Sequence, residues 1–247
     1  MKLFQKNEVL FAVLLIVIYV VGSSVMQSVS DAVGIAFLAE MLFNLLMSAV
    51  LLWFIRKNRL SDYVGLRKPE ISASKMLYYI PLLLIAAAPA FFGTGMEFSP
   101  VISLLRTVMM ICVGFLEEVI FRGFLFRGIA KNSLKRAVVI SSLTFAVGHF
   151  VNLLNGSDLF SNTLQVVYAV AVGFLMVFIF MRTSSLLACI AFHAFNNCLT
   201  AFTTGKFLID RTGEKTAVLI MAGIQLVIAG AYLLYTAKLP ERALPEQ

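Results

Sequence analysis

Charge is what this sequence has least of. Asp, Glu, Lys and Arg make up 13% of its 247 residues, while 60% are hydrophobic and the mean hydropathy is +0.93. A soluble domain usually carries about 25% charged residues, so the composition points to a bilayer. Cysteine is sparse too: Cys112, Cys189 and Cys198 are odd in number, lack CxxC spacing and sit in apolar runs. They argue against a disulfide framework and read as small buried hydrophobes. No HExxH stretch is present, so spacing gives zinc no independent support. Repeats, low-complexity tracts and signs of a second domain are also missing, and residues 1–247 read as a single membrane domain.

Apolar length is what the chain has instead. A membrane-crossing helix needs roughly 20 mostly apolar residues. Eight such segments can be marked, at about 9–27, 33–55, 76–93, 100–122, 137–154, 163–181, 184–204 and 216–237. The fourth is expected to continue as a helix to about Lys131. Backbone that is not internally hydrogen-bonded cannot face lipid. The expected fold is therefore an all-α, polytopic membrane helical bundle with about eight transmembrane helices. The first apolar run follows Lys2 and Lys6, as in a signal peptide. It extends to about Gln27 without an A-x-A site, so it reads as an uncleaved helix.

The formal charge of +7 would suggest nucleic acid in a soluble protein, but its distribution gives a different answer. With eight spans threaded, fifteen of the 20 basic residues fall on the side of the N-terminus, from Lys2 to Arg242. Three (Lys206, Arg211 and Lys215) fall on the other side, and Arg106 and Arg122 lie within spans. This asymmetry follows the positive-inside rule and places both termini in the cytoplasm. No nucleic-acid partner is expected; the partner is the lipid bilayer, and the location is a multi-pass plasma-membrane protein. The connection RKNRLSDYVGLRKPEISASK, residues 56–75, reads as a cytoplasmic loop with a short surface-lying piece. Residues 93–99 and 152–162 contain no Lys or Arg and fall on the opposite side.

One stretch conflicts with this apolar background. Phe115 to Gly123 reads FLEEVIFRG, with Glu117, Glu118 and Arg122 inside a span. An ionisable residue at a helix centre costs about 2.5–3.5 kcal/mol on insertion scales, so these side chains must face the bundle interior or a wet cavity. Glu118 and Arg122 are four residues apart with the acid first, the favourable order for a helical ion pair. Glu117 points about 100° away and has Phe121 as its own neighbour one turn on, so it is expected to stay unpaired. A desolvated free carboxylate suits a general base. The pair Glu118–Arg122 reads equally well as a staple that fixes helix packing.

Histidine is nearly absent, yet both copies fall within expected spans. His149 closes the phrase Phe145-Ala-Val-Gly-His149, and His193 opens His193-Ala-Phe-Asn-Asn197. His193 and Asn197 share one helical face. Glu plus His can deprotonate a water and pass its proton on, and His plus Asn can donate hydrogen bonds to an oxyanion. That set would hydrolyse an amide without a Ser or Cys nucleophile. The same Glu and two His also match the carboxylate–His₂ set of catalytic zinc.

The three phrases resemble the signature of the CPBP family of intramembrane proteases. This family includes the CAAX prenyl endopeptidases and the bacterial (Abi) proteins linked to bacteriocin processing and self-immunity. Its pattern E-E-x-x-x-R, F-x-x-x-H and H-x-x-x-N is complete here and in order, over a core of about residues 100–204. The resemblance implies an intramembrane endopeptidase acting on a membrane-associated or lipidated peptide or protein. It implies that Glu117 and His149 activate water and that His193 and Asn197 form the oxyanion hole. Glu118 and Arg122 would support the site, and Phe145 would pack beside it. It favours a metal-free, glutamate-based mechanism, with zinc on Glu117, His149 and His193 as the alternative. CAAX-type members cut after a prenylated Cys, entering from the cytosolic side; this short chain resembles the bacterial members more. Two other readings are a non-catalytic bacteriocin self-immunity or regulatory protein, and a haem- or ion-handling protein using His149 and His193. Gly114 and Gly123 allow close helix approach, within a chain or between chains of an oligomer.

Overall fold

All eight apolar runs are helical. The structure, a computed structural model, describes residues 1–240; Arg242, counted above on the cytoplasmic side, lies outside them. In chain order the helices are α1 (Glu8–Val33), α2 (Leu38–Lys57), α3 (Ala73–Phe92), α4 (Pro100–Glu117), α5 (Leu134–Gly148), α6 (Leu159–Thr183), α7 (Leu187–Thr200) and α8 (Glu214–Ala237). Six spans are long and apolar enough to cross a membrane: α1, α2, α3, α6, α8, and α5 together with its continuation to Leu153. Large side chains such as Leu46, Val101 and Val227 stand exposed on their outer faces. That belt has no use in water and suits lipid. The chain is an all-α, polytopic integral membrane protein.

The two remaining helices are the ones that carry the EExxxR and HxxxN phrases. Helix α4 starts at Ser99, whose Oγ accepts from the Ile102 N–H, with Pro100 in the first turn. It passes without a break into a π-helical stretch, Glu118–Phe126, and then Arg127–Ala130. The expected extension to about Lys131 is therefore observed. Short π segments inside helices frequently accompany functional sites. Helix α7 has only 14 residues, shorter than the expected 184–204. Its start is delayed because Thr183, Ser184 and Ser185 form a hydrogen-bonded turn, with Ser184 in the left-handed region.

Hydrogen bonds sort the connections into two ends. At the first end, Lys131 pairs with Glu8 at 2.6 Å, Leu186 N donates to Gly65 O, and Arg182 donates to Thr236 O. Tyr63 donates to Glu8 at 2.7 Å, and burial together with that carboxylate holds its phenol well above the usual range. At the second end, Thr94 bridges Thr203, Ala39 N donates to Ser30 Oγ, and Asn162 donates to His149 O. The loop at 56–75 is more than a surface piece: its helical turn Ser61–Val64 buries Tyr63 and Val64 against the π segment.

The tightest crossing explains how the motifs meet. A Cβ on Gly114 would lie 2.6 Å from Ala194 N and 2.8 Å from its Cα, so α4 and α7 touch backbone to backbone. A Cβ on Gly123 would meet Val64 at 3.1 Å. Both glycines thus serve contacts within one chain. Gly114→Ala is expected to force α4 and α7 apart and cost about 1–3 kcal/mol, as overpacking generally does. Thermal unfolding of the purified variant in detergent checks this.

Candidate active site

The π segment places its charges in the middle of the bundle. Every residue from Glu118 to Phe126 is buried, because α1, α5 and the 61–64 turn pack around it. Arg122 Nη1 donates to Glu118 Oε1 at 3.0 Å, and both side chains are fully buried. The expected i, i+4 pair therefore exists. Arg122 Nη2 lies 3.4 Å from Gly173 O on α6, and its guanidinium stacks 4.2 Å from the centroid of the Phe145 ring.

The tight α4–α7 crossing brings His193 onto this pair. His193 Nδ1 sits 2.8 Å from Glu118 Oε1, and Nε2 sits 3.4 Å from Glu117 Oε2. One imidazole thus bridges the two adjacent acids. The other Glu117 oxygen, Oε1, accepts from Tyr19 Oη at 2.7 Å. The expectation that Glu117 stands unpaired is corrected here. It rested on neighbours within one helix, and both actual partners come from other helices, α1 and α7.

His149 stands where α5 breaks. Helix α5 ends at Gly148, and the chain turns before Val151–Leu154. His149 Nδ1 lies 3.2 Å from Phe145 O, one turn back. The Phe145 ring meets His149 and His193 edge-on, with centroids 5.1 and 5.7 Å away. Phe145 is therefore the wall against which both imidazoles and the guanidinium are set.

Glu117, His149, His193 and Asn197 all line one cavity of about 450 Å³. A smaller cavity of about 240 Å³ shares Phe145, His149, His193 and Asn197 with it. All seven motif positions thus touch each other or the same cavity wall, with Asn197 one turn beyond His193. The motif reading missed Tyr19, Glu40, Asn44 and Arg106, which also line the main cavity. Tyr19 and Asn44 carry no motif. Arg106, by contrast, was legible as the only other cation within a span.

Among the described residues no group of three or more His, Cys, Asp or Glu is placed to hold a metal ion. Each histidine has its Nδ1 at a protein oxygen, Phe145 O for His149 and Glu118 Oε1 for His193. Cys189, one turn before His193, faces the Met176 carbonyl at 3.6 Å and is fully buried. What the site offers is a carboxylate held by a phenol and an imidazole, at the closed end of a polar-lined cavity.

Residues 99–199 match the family of type II CAAX prenyl endopeptidase Rce1-like proteins, a segment that contains every motif position. The match supports a CPBP-type intramembrane protease over that segment. A protease of this kind hydrolyses peptide bonds within the bilayer, so the buried carboxylates have a reaction to serve. No curated protein and no solved structure matches the chain.

Proposed function

We propose that the CPBP-type core works as a glutamate peptidase, with Glu117 as the base that activates water. The observation that supports this most is the His193 bridge. The Glu118–Arg122 pair fixes Nδ1, so Nε2 is the corner presented to Glu117 and to substrate. Glu117 takes a proton from a water in the cavity, and the hydroxide attacks the scissile carbonyl carbon. The oxyanion receives hydrogen bonds from His193 and Asn197. The C–N bond then breaks as the amine nitrogen takes the proton that Glu117 holds, with His149 as the alternative carrier. Base catalysis of this kind is worth about 10²–10⁴-fold, and an oxyanion donor about 10²–10³-fold. The substrate is a membrane-associated peptide or protein, and the catalytic core is residues 100–204.

Tyr19 holds the base in place in this scheme. Tyr19→Phe removes a hydrogen bond to a charged group, worth about 1.5–3 kcal/mol. Cleavage is expected to fall roughly tenfold with KM little changed, as read from steady-state kinetics. Because the donors form no three-ligand set, a strong chelator should leave the rate within about twofold; stoichiometric metal with chelator-sensitive cleavage would reverse that part. The central test is mass spectrometry of peptides released in membranes that hold the protein against membranes that hold Glu117→Ala. Products specific to the parent are expected. A folded protein that releases none would favour a regulatory or immunity role.

A further inference from the structure

We propose that substrate reaches Glu117 from the membrane face opposite the Lys- and Arg-rich connections, which is the outer face. The inference rests on the peptidase reading for what enters, and on geometry alone for where it enters.

The cavity lies toward one end of the bundle. Its lining comes from the second-end parts of the helices: Gln27 near the end of α1, Asn44 early in α2, Arg106 early in α4, and Asn155 beyond α5. The smaller cavity behaves alike, with Pro89 late in α3 and Thr203 beyond α7. No residue of the first-end connections, 58–72, 131–133 or 184–186, lines either cavity.

The first end is closed instead. The nine residues Glu118–Phe126 are all buried there. Phe4, Tyr63 and Phe124 interlock edge-on or tilted, with centroids 5.5–6.4 Å apart. Val64 and Leu186 show no exposure. A peptide arriving at this end would meet a packed core.

The closed end also carries the cations. Of the described Lys and Arg residues outside spans, those from Lys2 to Lys75, Arg127 to Arg136, Arg182 and Lys238 lie on it. Lys206, Arg211 and Lys215 lie on the other. Basic connections are retained in the cytoplasm, which turns the open mouth outward. A prenylated, cytosolic C-terminus would therefore approach the sealed end. The substrate class that fits is a peptide, or a membrane-anchored segment, exposed on the outer face.

Thiol accessibility decides this without needing activity. In a Cys198→Ser background, where the remaining Cys112 and Cys189 are buried, single cysteines are placed at Asn155, Val113 and Ser74. Asn155 is at the mouth and Val113 is deep in the cavity, while Ser74 is exposed at the basic end. The protein is expressed in a bacterial inner membrane and treated with a small, membrane-impermeant maleimide. Asn155→Cys and Val113→Cys should label in intact spheroplasts, and Ser74→Cys only in inverted vesicles, by at least tenfold in each case. The reverse pattern overturns the proposal. So does Val113→Cys labelling with Ser74→Cys, or labelling from neither side. Because labelling is independent of turnover, an inactive yet outward-labelled protein would refute the peptidase reading and leave the access route standing.

Discussion

Glu117→Gln is expected to abolish cleavage, lowering kcat by at least about 10³-fold, while the protein folds and unfolds like the parent. Glutamine keeps the size of the side chain and can still receive the Tyr19 hydroxyl, which donates at 2.7 Å in the parent. What it cannot do is take a proton from water, and that is the step on which the mechanism rests. The matching control is Glu118→Gln. That change leaves the base intact but loosens the ion pair with Arg122 and the hold on His193 Nδ1, so a smaller loss in kcat and a lower unfolding temperature should come together. Full activity in purified Glu117→Gln would end the assignment of the base.

The largest effect on stability should come from Arg122→Ala. Its guanidinium and the Glu118 carboxylate are both fully buried. Removing one member of a buried pair strands the other, at a cost of about 3–5 kcal/mol. His193 remains at 2.8 Å from Glu118 and offsets only part of that. The double variant Glu118→Gln, Arg122→Met tests the cause. If the stranded charge is responsible, the double variant should recover most of the lost stability, read from thermal unfolding in detergent. It should not recover activity, because the charged carboxylate that holds His193 Nδ1 is then gone. An Arg122→Ala protein as stable as the parent would show that Glu118 finds its compensation elsewhere.

What could be read from the sequence depended on how far apart the partners lie. Glu118 and Arg122 share one helix, so their spacing alone announced the ion pair. His193 and Asn197 are likewise one turn apart. The bridge from His193 to both acids was not legible, because it depends on how closely α4 approaches α7, and that approach is fixed by the missing side chain of Gly114. Tyr19 was invisible for a stronger reason: it is 98 residues from Glu117 and stands in a run of apolar neighbours with no pattern to single it out. The mistaken view of Glu117 as solitary follows from the same limit. The helical runs themselves were clear from hydropathy, but their ends were not. Local hydrogen-bonded turns, such as the one at Thr183–Ser185, set those ends.

The wide turn after Glu117 has a consequence for how the gene can change length. A π stretch behaves like an α-helix into which one residue has been inserted. Losing a single apolar residue there, Ile120 for instance, would let the coil return to ordinary pitch. The turns downstream would keep their facing, and Glu118 and the arginine, then three residues apart, would still be neighbours on one side of the helix. A one-codon deletion is thus better absorbed inside this stretch than in the α-helical turns on either side of it.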